Sequence, residues 1–407
     1  MSKAFVLGAA MLAFAAPATD YYVDNKAGSD ANDGLSPQSA FATLRTATPR
    51  LVAGDTLHIA PGRTYRETLQ LSRSGTPSSP ITVKGNGSIL SGLRPVPDEG
   101  WIDKGDDLWF HPNSVCWGAL RPRVFMGETN MVSLVCRHYS GVDPRKLPPE
   151  TAIWNKEGIW FRTRDGASPV GYGLFGSYGG NHSGVMVMGG SYITVEDLTV
   201  EGFSNDGFNV HGSCHGLIFR NIVGRWNGDD GFSVHEDVQA NVYNAYLHHN
   251  DNGIQDINLS QTFFFGCTVE SNRLCGVDLY GGLRILHDVT VKENSGCQVR
   301  IQVGKSRGLE NDDPMLRTRA YLKGVKVEGG EGEGLLIGRD AGVTAVGCSI
   351  SGTDIGIRVD GSLTFIDGTV SDCRKQDIVQ GKTGTLRQAC GSPKKDRQAR
   401  TVRDDAI

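Results

Sequence analysis

The sequence predicts an all-β chain wound as a parallel β-solenoid, with a β-rich insertion. Three observations carry this. From Ser191 to Lys305 the chain can be written as lines that nearly repeat. The first reads S-Y-I-T-V-E-D-L-T-V-E-G-F-S-N-D-G-F-N-V-H-G, and later lines end N-G-D-D-G-F-S-V-H, N-D-N-G-I-Q-D-I, R-L-C-G-V-D-L-Y and N-S-G-C-Q-V-R-I-Q. Glycines recur at Gly207, Gly231, Gly253, Gly276 and Gly296, a period in the low twenties. After them apolar and polar residues alternate, as in Phe208 and Val210, Phe232 and Val234, Val277 and Leu279.

Side chains along a strand alternate faces, so these apolar residues point inward. Phe208, Phe232, Ile254 and Val277 are expected in one internal column. Asn209, His211, Ser233, His235, Asp278 and Tyr280 then point outward. A second apolar run precedes each glycine, as in Ile193-Thr194-Val195 and Leu217-Ile218-Phe219. Each coil therefore has at least two strands, with a bend that suits glycine through its freedom to take positive φ. Coils stack roughly 4.8 Å apart, so equivalent residues form ladders. The ladder around Asp206, Asp229, Asp230 and Asp251 is acidic.

Composition sets the outer bounds. A chain of 407 residues would allow two or three domains, but solenoids run long as one unit. With 54 glycines and a net charge of −4, it is neither a disordered nor a nucleic-acid-binding composition. Residues 1–18 read as a signal peptide: Lys3, an apolar run from Ala4 to Ala15, and small residues at Ala16-Pro17-Ala18. The chain is thus expected to be exported, whether to periplasm, cell surface or medium. No later stretch is long enough for a membrane helix. The nine Cys are an odd number and contain no C-x-x-C pair, so zinc and redox sites are not indicated. Cys267 and Cys348 hold similar places in their coils and read as small core residues.

Residues 19–99 form the expected N-terminal cap and first coils. Leu44, Ala47 and Leu51 share one face of a short helix limited by Pro49, suited to covering the open end of a solenoid. The opening Y-Y-V-D-N-K-A-G-S-D-A-N-D-G-L-S-P, with A-G-D-T-L-H-I-A-P-G-R-T-Y-R-E-T-L and S-G-T-P-S-S-P-I-T-V-K-G-N-G, resembles the N-terminus of secreted right-handed parallel β-helix proteins, polysaccharide lyases among them. That resemblance implies a single-stranded right-handed parallel β-helix, a pectate-lyase-like solenoid. Residues 100–184 break the period and hold five of the six Trp. They read as an inserted β-rich subdomain or set of long loops, whose Trp residues fill its core or stack on sugar rings. Residues 185–390 are the main β-helix, with a polar loop at Ser306–Arg319. Residues 391–407 are a charged, mobile tail.

The chemistry-bearing pattern is N-D-G-F-N-V-H at 205–211 followed by N-G-D-D-G-F-S-V-H at 227–235. It resembles two motifs of the polygalacturonase family of glycoside hydrolases. Asp206 matches the family's single Asp, and Asp229 and Asp230 its Asp pair. The resemblance implies inverting hydrolysis, one Asp acting as general acid and the others activating water. The family's next-coil His has no match. Asn252 stands near that place, with His248 and His249 a few residues earlier. The family's Arg-x-Lys strand is also lacking: the corresponding coil has Asp278 and Tyr280, and Arg300-Ile301-Gln302 follows one coil later.

From the residues themselves, carboxylates on adjacent coils repel, which raises at least one pKa, as a general acid needs. Side-chain reach is expected to give the roughly 6.5–9.5 Å separation of inverting enzymes. Asp206, Asp229, Asp230 and His235 are the expected catalytic residues. Asn209, His211, Gln255, Asp278, Tyr280 and Arg300 are expected to bind substrate, a polysaccharide containing uronic acid. No metal or cofactor is expected on this reading. On an alternative reading the same carboxylates hold Ca²⁺ in a polysaccharide lyase or epimerase, with His235, His211 or Arg300 as base. No Lys sits on the central strands between Ser191 and Lys292 to serve there. A third reading is a non-catalytic solenoid that binds glycan or a surface. Asp-Gly and Asn-Gly are also ordinary turn chemistry, which accounts for Asp251 and in part for Asp206 and Asp230. The sequence sets no oligomeric state.

Overall fold

Each full coil contributes three strands. One coil consists of Phe208–His211, Ser213–Arg220 and Val223–Arg225, and the next of Asp230–Val234, Asp237–Tyr243 and Tyr246–His248. All pair in parallel with their equivalents one coil away. The computed structural model describes residues 17–112, 115–127, 132–133, 143–155, 157–180, 182–304, 313–389 and 401–403. The first strand of each coil joins an 11-stranded sheet running from Leu69–Leu71 to Thr401–Arg403. The other two rows merge into a 20-stranded sheet, because long strands such as Ile81–Ser91 and Ile193–Glu201 pass round the corner between them.

The interior follows the alternation. Phe208 pairs with Phe232, Phe232 with Ile254 and Ile254 with Val277, and all four are fully buried. The Phe232 ring meets Phe219 edge-on at 5.0 Å and Phe264 at 5.8 Å. Cys267 and Cys348 are buried as well.

The bends differ from expectation. Gly207, Gly231, Gly253 and Gly276 do not adopt positive φ. They are glycines because a side chain has no room. A Cβ on Gly231 would lie 2.8 Å from both the Asn250 amide and the Gly253 carbonyl, and one on Gly276 would lie 2.6 Å from the Asn294 amide. The crowding comes from a buried column of Asn227, Asn250, Asn272 and Asn294. The backbone N–H and side-chain Nδ2 of each donate to Oδ1 of the next coil's Asn, at 2.9–3.2 Å. Asn294 donates in the same way to Gln298 Oε1, and Gln298 Nε2 turns back onto the Asn294, Gly296 and Glu331 carbonyls. Left-handed backbone sits instead at another corner, at Asp197, Asn221, Asn244 and Asp288 (φ 50 to 55). Asn and Asp tolerate that region.

Thr43 caps the helix Leu44–Ala47, and Leu44, Ala47 and Leu51 are buried against the first coil. Residues 93–177 leave the solenoid to form two four-stranded antiparallel sheets. One holds Leu93–Pro95, Val124–Met126, Val132–Ser133 and Leu174–Ser177, and the other Ile102–Asp103, Leu108–Pro112, Thr151–Asn155 and Gly158–Arg162. Trp101 and Trp154 pack on its small core, and Trp160 lies against Phe110. Trp117 is 73% exposed.

The expected signal peptide lies outside the described residues except for Pro17 and Ala18, and residues 306–312 of the expected polar loop also lie outside them. Within the expected tail the strand Thr401–Arg403 pairs with Gln376–Gln380. Among the described residues, no helix is long and apolar enough to cross a membrane.

Candidate active site

Asp206 and Asp230 hold the same place on successive coils, just before the bend glycine. Asn252 and Cys275 continue the column. The residues of this column link coil to coil. Asp206 Oδ1 accepts the Asp230 N–H at 3.2 Å, Asn252 Nδ2 donates to Asp230 Oδ1 at 2.8 Å, and Asn252 Oδ1 accepts the Cys275 N–H at 3.1 Å. Asn205 Nδ2 donates to the second Asp206 oxygen at 2.8 Å. An Asn in this column both donates and accepts, whereas an Asp does so only when protonated.

Burial enforces that proton. Asp206 and Asp230 are 2% and 1% exposed. Loss of water pushes the Asp206 carboxyl up to about 7. Burial, and then the charge of Asp206, push Asp230 well above the usual carboxylate range. Two like charges this close do not both ionise near neutrality, so the pair titrates as a unit.

Asp229 stands beside them with its side chain 19% exposed, and its carboxylate pairs with the Arg121 guanidinium. One oxygen from each of Asp206, Asp229 and Asp230 lies within 4.8 Å of the others. This corrects the expected 6.5–9.5 Å gap. The coil spacing itself holds the carboxylates closer, so the separation gives no support to the inverting geometry. The three offer hard oxygen donors of the kind a divalent cation takes. One of them already faces a guanidinium.

Arg121 comes from the insertion and was not legible as a site residue. Its N–H donates to Ser204 O at 2.8 Å, and its carbonyl lies 2.2 Å from where a Gly228 Cβ would stand. Gly228 is thus the contact that lets the inserted segment close on the turn. Two residues on, Arg123 donates to the His249 carbonyl at 2.5 Å and approaches Asp251 at 3.7 Å. Asp251 also pairs with Arg273. Asp251 stands in the bend before the strand Asn252–Asp256, as expected of a turn residue, and has an ion-pair role as well.

The expected histidines lie elsewhere. His211 and His235 stack at 4.1 Å with a 6° tilt, at the opposite ends of their strands from the acids. Five residues of strand separate Asp206 from His211, about 16 Å. His211 Nδ1 meets Glu236 at 3.2 Å, and Ser233 Oγ lies 3.0 Å from His235 Nε2. Burial, with His211 adding to it, lowers the His235 pKa to about 4. His235 is thus neutral and apart from the carboxylates.

Between these ends runs the row Asn209, Ser233, Gln255, Asp278 and Arg300. Three of them face outward, as expected, but are covered. Asn209 is 6% exposed and Asp278 1%, because Asn209 donates to Ser183 Oγ at 3.3 Å and Arg300 covers Asp278 through Nε at 2.7 Å. Ser233 is buried too. Arg300 is committed to Asp278 and lies 6.0 Å over the Tyr280 ring. Gln255 and Tyr280 stay partly exposed.

Comparison with known proteins fits this architecture. Residues 183–313 match the family described as "Right handed beta helix region". The fold is a right-handed parallel β-helix. The structure of XylC with xylose aligns at a TM-score of 0.53 and 12% identity, covering 91% of this chain and 86% of that one. At that identity the likeness is one of fold. A structure named "Glycoside hydrolase" aligns at 0.46 and 11%, covering 92% and 95%. The A-module of the mannuronan C-5 epimerase AlgE4 of Azotobacter vinelandii aligns at 0.44 and 11%, covering 86% and 91%. No curated protein matches the chain.

Proposed function

We propose that this β-helix is an exported enzyme that cleaves glycosidic bonds of a polysaccharide by carboxylate acid/base hydrolysis. One observation carries the reading: two buried carboxylates that retain a proton near neutral pH lie directly behind a third that solvent reaches. Asp229 meets the substrate and its water. The Asp206–Asp230 pair holds the proton. As the bond to the anomeric carbon breaks, Asp229 passes that proton from the pair to the leaving oxygen. The water oxygen bonds to the carbon, and its proton passes to Asp229 and back to the pair. Arg121 fixes Asp229 against the turn. The reaction routes nothing through a metal.

Digestion of a polysaccharide panel with two readouts tests this. New reducing ends without ultraviolet absorbance are expected. Absorbance from an unsaturated uronate would replace hydrolysis by elimination. Absence of both across the panel would leave a glycan-binding solenoid.

A further inference from the structure

At the N-terminal end of the 11-stranded sheet, a cleft of about 1020 Å³ opens between the cap, the first strand of that sheet and the inserted sheet. Its walls carry four arginines. Arg45 comes from the cap helix, Arg66 and Arg73 flank the strand Leu69–Leu71, and Arg94 comes from the inserted strand Leu93–Pro95. Glu67 is the one carboxylate in the lining. We propose that this cleft binds the anionic groups of a glycan chain that extends from the candidate active site.

Charge is the first argument. Four guanidinium groups and one carboxylate line the cleft, in a chain whose net charge is −4. Glu67 is half-buried and accepts the Arg45 backbone N–H at 3.3 Å. Arg66 and Arg94 are held close together. Both donate to the Leu93 carbonyl, at 2.6 and 3.1 Å, and Arg94 also donates to the Arg66 carbonyl at 2.6 Å. Tyr178 stacks beneath Arg94 at 5.0 Å and sets its direction. Like charges gathered in a cleft focus a field that an anion relieves. Among the described residues, neither Arg45 nor Arg73 forms an ion pair. Guanidinium is also the group that grips a planar carboxylate or a sulfate through paired N–H donors.

Position is the second argument. Leu69 pairs with Val185 and Val185 with Phe208. Counting back two residues on each strand places Glu67, Ser183 and Asp206 in one column. Thr68 Oγ1 bonds to Ser183 O at 2.8 Å and fixes that register. The cleft thus begins two coil steps, about 10 Å, from the acid cluster along the stacking direction. A chain lying along the sheet reaches both.

This inference rests on the proposed function for the chain that passes Asp229, but binding tests it separately. Full-length protein and an Arg45→Ala/Arg73→Ala variant, both residues exposed, would be run in affinity gels containing a polyuronate, dextran sulfate or neutral dextran. Wild type is expected to be retarded by the anionic polymers and not by dextran, and the variant to bind about tenfold or more weakly. Retardation by polyuronate alone assigns carboxylates, by dextran sulfate alone sulfates, and by both a general anion site. Equal retardation by neutral dextran, or undiminished binding by a variant with unchanged circular dichroism, would overturn the proposal. Arginine-dependent binding without bond cleavage would overturn the hydrolase reading and leave the cleft standing. Cleavage of a neutral glycan without anionic binding would do the reverse.

Discussion

The guanidinium of Arg121 closes on the carboxylate of Asp229, joining the inserted subdomain to the turn that carries the acid pair. The contact is 45% exposed on the arginine side. It therefore contributes little to stability, about 1 kcal/mol at most.

Its removal is expected to act on turnover. Arg121→Gln should keep its melting temperature within a few degrees and lose about tenfold or more in kcat, because Asp229 loses the charge that holds it. Thermal melting beside steady-state kinetics checks this. A large loss of stability with unchanged kcat would make the contact structural only.

Asp230→Asn is expected to lose about a hundredfold or more in rate, since the pair loses its transferable proton. The fold has a place for the amide, because Asn252 already occupies the same column one coil on. A folded variant with near-full turnover would defeat the proton-pair mechanism.

The other carboxyl of the pair carries a pH signature. The folded Asp206 carboxyl titrates at about 7 against an ordinary 3.8, so the native state holds its proton more tightly than the unfolded chain. Stability from this group is full below about 3.8, falls as pH rises toward 7, and is flat above. Asp206→Asn removes the penalty. It should gain melting temperature over wild type at pH 8, and the gain should shrink by pH 4. Wild-type activity is expected to fall above about pH 7 as the pair loses its proton.

Asp251→Asn is expected to destabilise. Arg123, with its side chain 3% exposed, and Arg273 both approach this carboxylate. Replacing the charge weakens two charge-assisted contacts, a loss of about 1–3 kcal/mol. Denaturant unfolding measures it. Asp288, whose side chain is 71% exposed, is the better carboxylate for a neutral control.

Phe232→Ala is expected to cost about 3–5 kcal/mol by urea unfolding, because rings from three neighbouring residues lose their packing partner.

The solenoid was legible because its period and its inward residues are local. Alternation alone placed Phe208, Phe232, Ile254 and Val277 in one column. The acid cluster was half legible: the motif marks the three carboxylates, but no spacing tells that Asp206 and Asp230 are buried or that Arg121 covers Asp229. That contact joins residues over a hundred positions apart across an aperiodic insertion. The histidines stack as their shared place in successive coils predicts, but five residues along the strand carry them about 16 Å from the acids. The Asn column was also in view, at 227, 250, 272 and 294, but Asn near Gly reads as a turn. Only the crowding at Gly231 and Gly276 shows that those asparagines face inward.

That column has a direction. Each asparagine gives its backbone N–H and one amide hydrogen to the coil that follows, and Asn250 and Asn272 donate also to a carbonyl of the coil before, so at every stage of winding the newest rung still offers donors to whatever is added next. Left open, such an end is a template, as ready for a strand of a second molecule as for its own chain. Gln298 ends the sequence of rungs from within. Its longer side chain takes the hydrogens of Asn294 and turns its own amide onto carbonyls of the same coil and the next. The polar wire through the solenoid thus ends on a side chain four residues beyond its last asparagine, well before the stack itself stops.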